Sequence, residues 1–298
     1  MSGINVPQHF IEEYTSNVAH LLQYRGGKLE GSYGTQSYQS NGGVIVDQYA
    51  AVDMSEVVSR FAPMPRTDGG QERVWIYPRD YDLSQQVDTF DELRLMTDPK
   101  GPIAESSALG AARKKDVILF DAFYADIKKG VDGSTTESFD TTNHRVDAAI
   151  GAAADTGLNV EKVIDARRIL QDNEVDLDME DCWIAITPTQ EQDLLRQDTV
   201  IDSDKNRSLG IVLNADGRIR SFAGCRVVCS TRVPSNASYR LCPMWVKSGM
   251  HLGVWSDISA RVDPRPDIQG IPWQIYTTMS MAASRVEAGR VIQIECTE

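Results

Sequence analysis

Apolar residues recur at helical spacing in the first half of this chain and at strand spacing through most of its last third. In "QHFIEEYTSNVAHLLQYR", residues 8 to 25, Phe10, Tyr14, Val18, Leu21 and Leu22 share one face of a predicted helix that Gly26 and Gly27 end. Such a stripe must dock on its own domain or on a neighbouring subunit. The longest pattern predicts a helix over about 102–128. Pro102 suits its first turn, Ala104, Ala108, Ala112, Leu119, Phe123 and Ile127 make one stripe, and Gly130 supplies the stop. At 1.5 Å per residue it would be a rod of roughly 39 Å. Asp116 falls beside the stripe with Arg113 three residues before it, a spacing that permits an ion pair. A paired charge at an interface fits that position better than a catalytic acid.

Residues 28–90 break the pattern. "KLEGSYGTQSYQSNGGVIVDQYAAVD" is rich in Gly, Ser, Gln and Tyr, with a short strand-like run in "GGVIVDQY". After the turn signal "TDGG", alternation resumes through Val74 and Ile76. These residues hold too few large apolar groups to build a core. Either they are disordered, or they form a two-stranded protrusion that other molecules cover, because an isolated hairpin is marginal in water. Arms of 25 to 30 residues could reach roughly 80–100 Å at most. A compact chain of this length has a radius of gyration of only ~19 Å, so such an arm would lie on a neighbour. "RTDGGQER", residues 66–73, reads as a loop tip whose mixed charges suit rim contacts.

Beyond the long helix, "KKGVDGSTTESFDTTNH" is a Gly/Ser/Thr-rich turn and a candidate hinge. "LNVEKVIDARRILQ" follows as a helix with Val160, Val163, Ile164 and Leu170 inward. An acidic turn, a short apolar strand "CWIAIT" and a helix opening at Pro188 complete an α/β unit. From Phe222 strands dominate, and "NADGR" at 214–218 reads as a hairpin turn. The class is α+β.

Composition narrows the function. The 298 residues carry a net charge of −13, which argues against a surface that grips nucleic acid. It suits solubility at high concentration, or a wall to which DNA should not stick. The five cysteines are odd in number, and "MSGINVPQHF" lacks a basic region followed by an apolar one, so free thiols in a reducing cytosol are expected. No apolar run approaches the ~20 residues of a membrane-spanning helix. No phosphate-binding glycine loop, nucleophile elbow or paired-histidine zinc motif occurs. His9, His20, His144 and His251 share no ligand spacing. Cys225 and Cys229 sit on one strand without a second ligand pair, and read as small buried side chains. "DNEVDLDMED" lacks the glycine and terminal glutamate of a calcium loop. No metal, cofactor or catalytic residue is expected.

Several stretches, in order, resemble the major capsid proteins of tailed bacteriophages, the Hong Kong 97-like fold family. They are "EEYTSNVAHLLQYRGGKLEG", "DTFDELRLMTDP", "ALGAARKKDVILFDAFYAD", "VEKVIDARRILQDNEVD", "WIAITPTQEQDLL" and "IYTTMSMAASRVEAGRVIQIEC". The resemblance implies an N-terminal arm at 1–27 and an extended loop hairpin (E-loop) at 28–90. It implies a peripheral domain at 91–155 and 249–298 built on the long spine helix, and an axial domain at 156–248. It also implies pentamers and hexamers in an icosahedral shell enclosing double-stranded DNA, formed in the host cytoplasm and found in the virion. Subunit contacts are expected at Phe10, Tyr14, Leu21, Arg60, Arg66, Asp68, Glu72, Arg73, Asp91, Glu92, Arg94, Arg113 and Asp116. Because the first predicted helix starts by about residue 8, a separate scaffolding protein is expected, together with a portal and possible cement or decoration proteins. Nothing points to Lys–Asn crosslinks, so the joints should be noncovalent. An encapsulin-like nanocompartment shell, which would hold enzyme cargo, and a soluble enzyme with an unrecognised site are the alternatives. Deleting Ser59 to Arg73 is predicted to abolish shells, seen by negative-stain imaging, while the subunit stays soluble and folded.

Overall fold

The computed structural model describes residues 26–50, 52–54, 56, 59–60, 69–87, 100–151, 154–197, 200, 212–213 and 218–298. The first predicted helix and the 214–217 turn lie outside them. Helix α1 (Lys100–Ala122) lies against a four-stranded sheet of order β1 (Gly34–Ser37), β13 (Met250–Pro264), β14 (Trp273–Arg285) and β4 (Asp80–Val87). Alternation on β14 buries Ile275, Thr277, Met279 and Met281. On α1, Ser107, Ala111, Ile118 and Ala122 form the matching buried stripe, at spacings of four and seven.

The helix is shorter than expected, and the expected stripe is buried at Leu119 and Phe123 but not at its alanine end. Ala108 is exposed and Ala112 half-buried, so the small-residue stripe that packs is Ser107–Ala111. The helix ends at Ala122, the Phe123 N–H donates to the Phe120 carbonyl, and Ile127 belongs to strand β5 (Ile127–Lys129). The reason is competition from the sheet: β5 finds antiparallel partners in β3 (Gln71–Ile76) and β6 (Thr135–Glu137). Gly130, at φ +96°, therefore closes a strand, not a helix.

A second, seven-stranded sheet carries most of the large core. Its order is β7 (Arg145–Val146), β15 (Val291–Cys296), β12 (Arg240–Val246), β8 (Cys182–Ile186), β11 (Cys225–Cys229), β10 (Ile219–Phe222) and β9 (Val212–Leu213). Strand β15 leaves the β13–β14 layer and joins this sheet, between β12 and β7. All six of its residues are buried, including the polar Gln293 and Glu295, which bond to each other while Arg145 pairs with Glu295. Helix α2 (Val160–Asp172) packs Val163, Ala166 and Leu170 inward, and its N-cap Asn159 accepts from the Lys162 N–H at 2.7 Å. Ile164, expected inside, is 46% exposed, because it lies on the far side of Val160 from that arc. Lys162 is buried instead. Its ammonium donates to the carbonyls of Thr156, Gly157 and Glu295 at 2.7–3.0 Å, so all three protons are used and α2 is tied to β15. Helix α3 (Pro188–Leu195) starts at a capping box formed by Thr187 and Gln190.

The expectation of five free thiols is overturned at one pair. Cys182 and Cys225 form a disulfide, with Cα atoms 4.5 Å apart, while Cys229, Cys242 and Cys296 are free. The spacing along the chain concealed it: 43 residues separate the two, and only the parallel pairing of β8 with β11 brings them side by side.

Gly26 has a packing role. A Cβ there would sit 2.2 Å from the backbone carbon of Ala112 and 2.4 Å from the Arg113 nitrogen, so the chain crosses α1 backbone to backbone. We predict that Gly26→Ala destabilises the unassembled subunit by about 3 kcal/mol or more, because neither backbone can yield cheaply. The denaturant midpoint of the two proteins, compared at equal slope, checks it.

Candidate assembly surfaces

A small sheet projects from the body. Its order is β2 (Gly43–Tyr49), β3, β5 and β6, and the hairpin β2–β3 runs antiparallel from Gly43↔Ile76 out to Tyr49↔Gln71. The two ends of the 28–90 segment are not part of the projection. Leu29 and Tyr33 are buried in the main core, β1 pairs in parallel with β13, and β4 pairs along eight residues of β14. The free arm is thus confined to the residues between β1 and β4. Among the described residues, the large apolar groups buried in this small sheet are few: Val74, Ile76 and Ile127. Outward it presents Tyr49, Val52 and Met54, the last fully exposed at 102%.

The arm's root is held by aromatic side chains. Tyr38 stacks on Trp255 with centroids 5.1 Å apart, and the Trp255 Nε1–H donates to the Ser40 carbonyl at 2.6 Å. The Tyr38 hydroxyl lies 3.0 Å from His251 Nε2. On the other side Trp75 stacks with Tyr77, and its Nε1–H donates to the Gly130 carbonyl at 2.8 Å. Gly133, at φ +68°, lies under these rings: a Cβ would meet the Tyr77 hydroxyl at 2.4 Å. The "KGVDGSTTES" stretch, read as a hinge, is thus the β5–β6 hairpin that braces the arm.

Ionic contacts continue the bracing. Lys129, 14% exposed at its side chain, pairs with Glu137 and, at 3.4 Å, with Glu72. Burial alone would lower its pKa, but the two carboxylates outweigh that and hold it above the usual value. Arg73 pairs with Asp47 at 2.6 Å on the exposed face, and its guanidinium holds the Asp47 carboxyl below the usual range. Between arm and body runs a cleft of about 730 Å³, lined in part by Tyr49, Glu72, Lys129, Glu287 and Arg290.

Of the residues expected at contacts, Glu72 and Arg73 lie on the arm strand β3, and Arg60 is exposed in a turn. Arg113 faces a cleft of about 420 Å³ between α1 and the β4–β14 pair, with Asp80, Asp82 and Lys114. Asp116 is a correction. It is 1% exposed, and its carboxylate accepts from the Lys28 N–H at 3.3 Å, so it pins the start of the 28–33 segment inside its own subunit. Phe10, Tyr14, Leu21, Arg66, Asp68, Asp91, Glu92 and Arg94 lie outside the described residues. Sequence reading missed Tyr38, Trp75, Lys129, His251 and Trp255. No local pattern marked them, because their partners lie far off in the chain, as Trp255 does for Tyr38 and Gly130 for Trp75. Among the described residues no group of three or more His, Cys, Asp or Glu is arranged to hold a metal.

A body of two sheets and a long helix, with a thinly cored arm braced at its root, is the architecture of a shell-building subunit, the Hong Kong 97-like capsid fold. A family model for phage capsid protein matches residues 6–298, and the chain belongs to that family. The capsid subunit of the cyanophage P-SCSP1u is similar at a TM-score of 0.73 and 15% identity, covering 100% of this chain and 96% of that one. The capsid of Ralstonia phage GP4 matches at 0.72 and 9% identity, covering 100% and 98%. That of cyanophage Pam1 matches at 0.70 and 10%, covering 100% and 99%. No curated protein matches the sequence significantly.

The root also predicts a pH dependence. Burial lowers the His251 pKa from its ordinary 6.5, so the folded chain takes up that proton at lower pH than the unfolded one does. The neutral ring's contribution is complete above 6.5 and is lost as the pH falls below it. Amide protection over 38–44, corrected for the intrinsic exchange rate at each pH, should fall on acidification in the native subunit. It should be low at every pH in Trp255→Ala, which loses the Tyr38 stack.

Proposed function

We propose that this capsid protein is the major subunit of a tailed-phage head, and that its work is geometric. Copies associate as pentamers and hexamers into a closed icosahedral shell around double-stranded DNA, through many modest and noncovalent joints. The observation that carries the reading is the arm. A sheet with so small a buried set, presenting Tyr49, Val52 and Met54 to solvent, gains its stability when another surface covers it, and a neighbouring subunit is that surface.

The α1 layer with β13 and β14 serves as the peripheral domain, and the seven-stranded sheet as the core of the axial domain that meets its copies around the symmetry axes. The second half of β13, from Trp255 to Pro264, is mostly exposed and is available for contact between subunits. A net charge of −13 keeps the inner wall from competing for the genome's phosphates. Assembly takes place in the host cytoplasm on a separate scaffolding protein, with a portal at one vertex; these partners rest on the resemblance to tailed-phage capsid proteins. No step of this function requires catalysis.

The mass of the native assembly tests the reading. Sedimentation of the purified protein with its scaffolding partner should give megadalton particles that appear as closed shells by negative stain. Extracted contents of DNA agree with a phage head, and packed enzyme would make the shell a nanocompartment. A species that stays monomeric or dimeric under those conditions would sink the proposal. Substituting Tyr49, Val52 and Met54 together by Ser should lower shell yield at least tenfold while leaving the subunit's melting temperature within about 2 °C, since exposed positions contribute little to monomer stability.

A further inference from the structure

The Cys182–Cys225 disulfide conflicts with synthesis in a reducing cell, and the conflict is informative. Disulfides do not persist in such cytosols, yet the fold places these two sulfurs within bonding distance. They occupy the first positions of two parallel neighbours, one step before the Arg226↔Trp183 pair. Outside them, Arg226 bridges the same strands, pairing with Asp181 at 3.0 Å and lying 5.1 Å over the Trp183 ring. The site is therefore preorganised by the ladder whether or not the sulfurs are bonded. Cys242 and Cys296, as buried as the bonded pair, remain free thiols, and burial pushes the Cys229 thiol up to about 11, which leaves it almost wholly protonated and slow to exchange.

We infer that Cys182 and Cys225 form an oxidation-dependent clasp: a dithiol while subunits fold and assemble inside the host, and a disulfide once the shell meets dioxygen outside it. The timing rests on the capsid reading, because it assumes a particle that passes from a reducing to an oxidising compartment. In the closing step the two S–H bonds are lost and one S–S bond forms. The two electrons and two protons pass to O₂, which leaves as hydrogen peroxide. Dioxygen is small enough to reach sulfurs whose residues are 4% and 1% exposed, at the first positions of two central strands and beside exposed Asp181.

The consequence is mechanical. The bond closes the chain from β8 through α3, β9 and β10 to β11, a separation of 43 residues. Without it that stretch is held by the parallel ladder and by single side-chain bonds such as Arg167 to the Ala223 carbonyl and Gln197 to the start of α2. Closing so long a loop removes conformations from the unfolded chain, and the folded sheet pays no reorganisation because the partners are already adjacent. The clasp would stiffen the axial unit of the released particle after the flexible stages of assembly are over.

The test compares one preparation in two states. Cells are lysed without oxygen in N-ethylmaleimide, and a parallel sample is purified and held in air before alkylation. Peptide mapping should find maleimide on both Cys182 and Cys225 in the first sample. It should find a linked 182–225 peptide in the second, with Cys229, Cys242 and Cys296 still free in both. Air exposure should raise the melting temperature of the native protein by roughly 5 °C or more, and leave that of a Cys182→Ser, Cys225→Ser double variant unchanged. Thiols that remain alkylatable after prolonged air exposure would overturn the clasp, and a bond already present in the anaerobic lysate would overturn its timing. The mapping reads equally on unassembled subunits, so a failure of the capsid reading and a failure of the clasp are separate results.

Discussion

The fold depends on one junction, where the C-terminal end of α1 meets both large sheets. Phe123 packs against Trp245 with ring centroids 4.6 Å apart, and both are buried. The Trp245 Nε1–H donates to the Ser32 carbonyl at 2.8 Å, which fixes the strand leading toward the arm. Arg285, at the end of β14, is fully buried and donates to the Phe123 carbonyl at 2.6 Å, capping a helix end that would otherwise leave an orphan acceptor. Burial pushes its pKa down to about 10, and the guanidinium lies 4.9 Å over the Phe139 ring. A buried cation that offers most of its remaining interaction to an aromatic face is costly unless its position is fixed. Here that position joins helix, hairpin and central sheet.

From that junction the division of labour follows. Apolar burial is concentrated in the seven-stranded sheet and against α1, where it makes a rigid body. The projecting sheet is held by a few directional contacts at its root: the Tyr38–Trp255 stack, the Trp75 bond to Gly130, and Lys129 between two carboxylates. Directional contacts at a root define where an arm leaves without setting the course of its outer part.

Much of this was legible in the chain. The alternation around Val74 and Ile76 placed strand β3 of the small sheet. The α/β unit at 160–195 and the long C-terminal strands were read from their periods. The misreadings share a cause. The helical stripe was carried on to Ile127, although β3 and β6 compete for that segment. Ile164 was placed inside because a period defines an arc only to within one residue. Asp116 was placed at an interface between subunits, although it is buried beside Lys28 of its own chain.

The sequence by itself determined the class, because it is written in local composition and in short-range spacing. Only the tertiary structure decided which residues far apart in the chain become neighbours. It paired Cys182 with Cys225 across 43 residues and took β15 out of the C-terminal hairpin layer into the central sheet. It also set Gly26 against the backbone of α1. Those outcomes depend on strand order and on close approach of backbones, which are properties of the whole packed chain. No window of local pattern contains them.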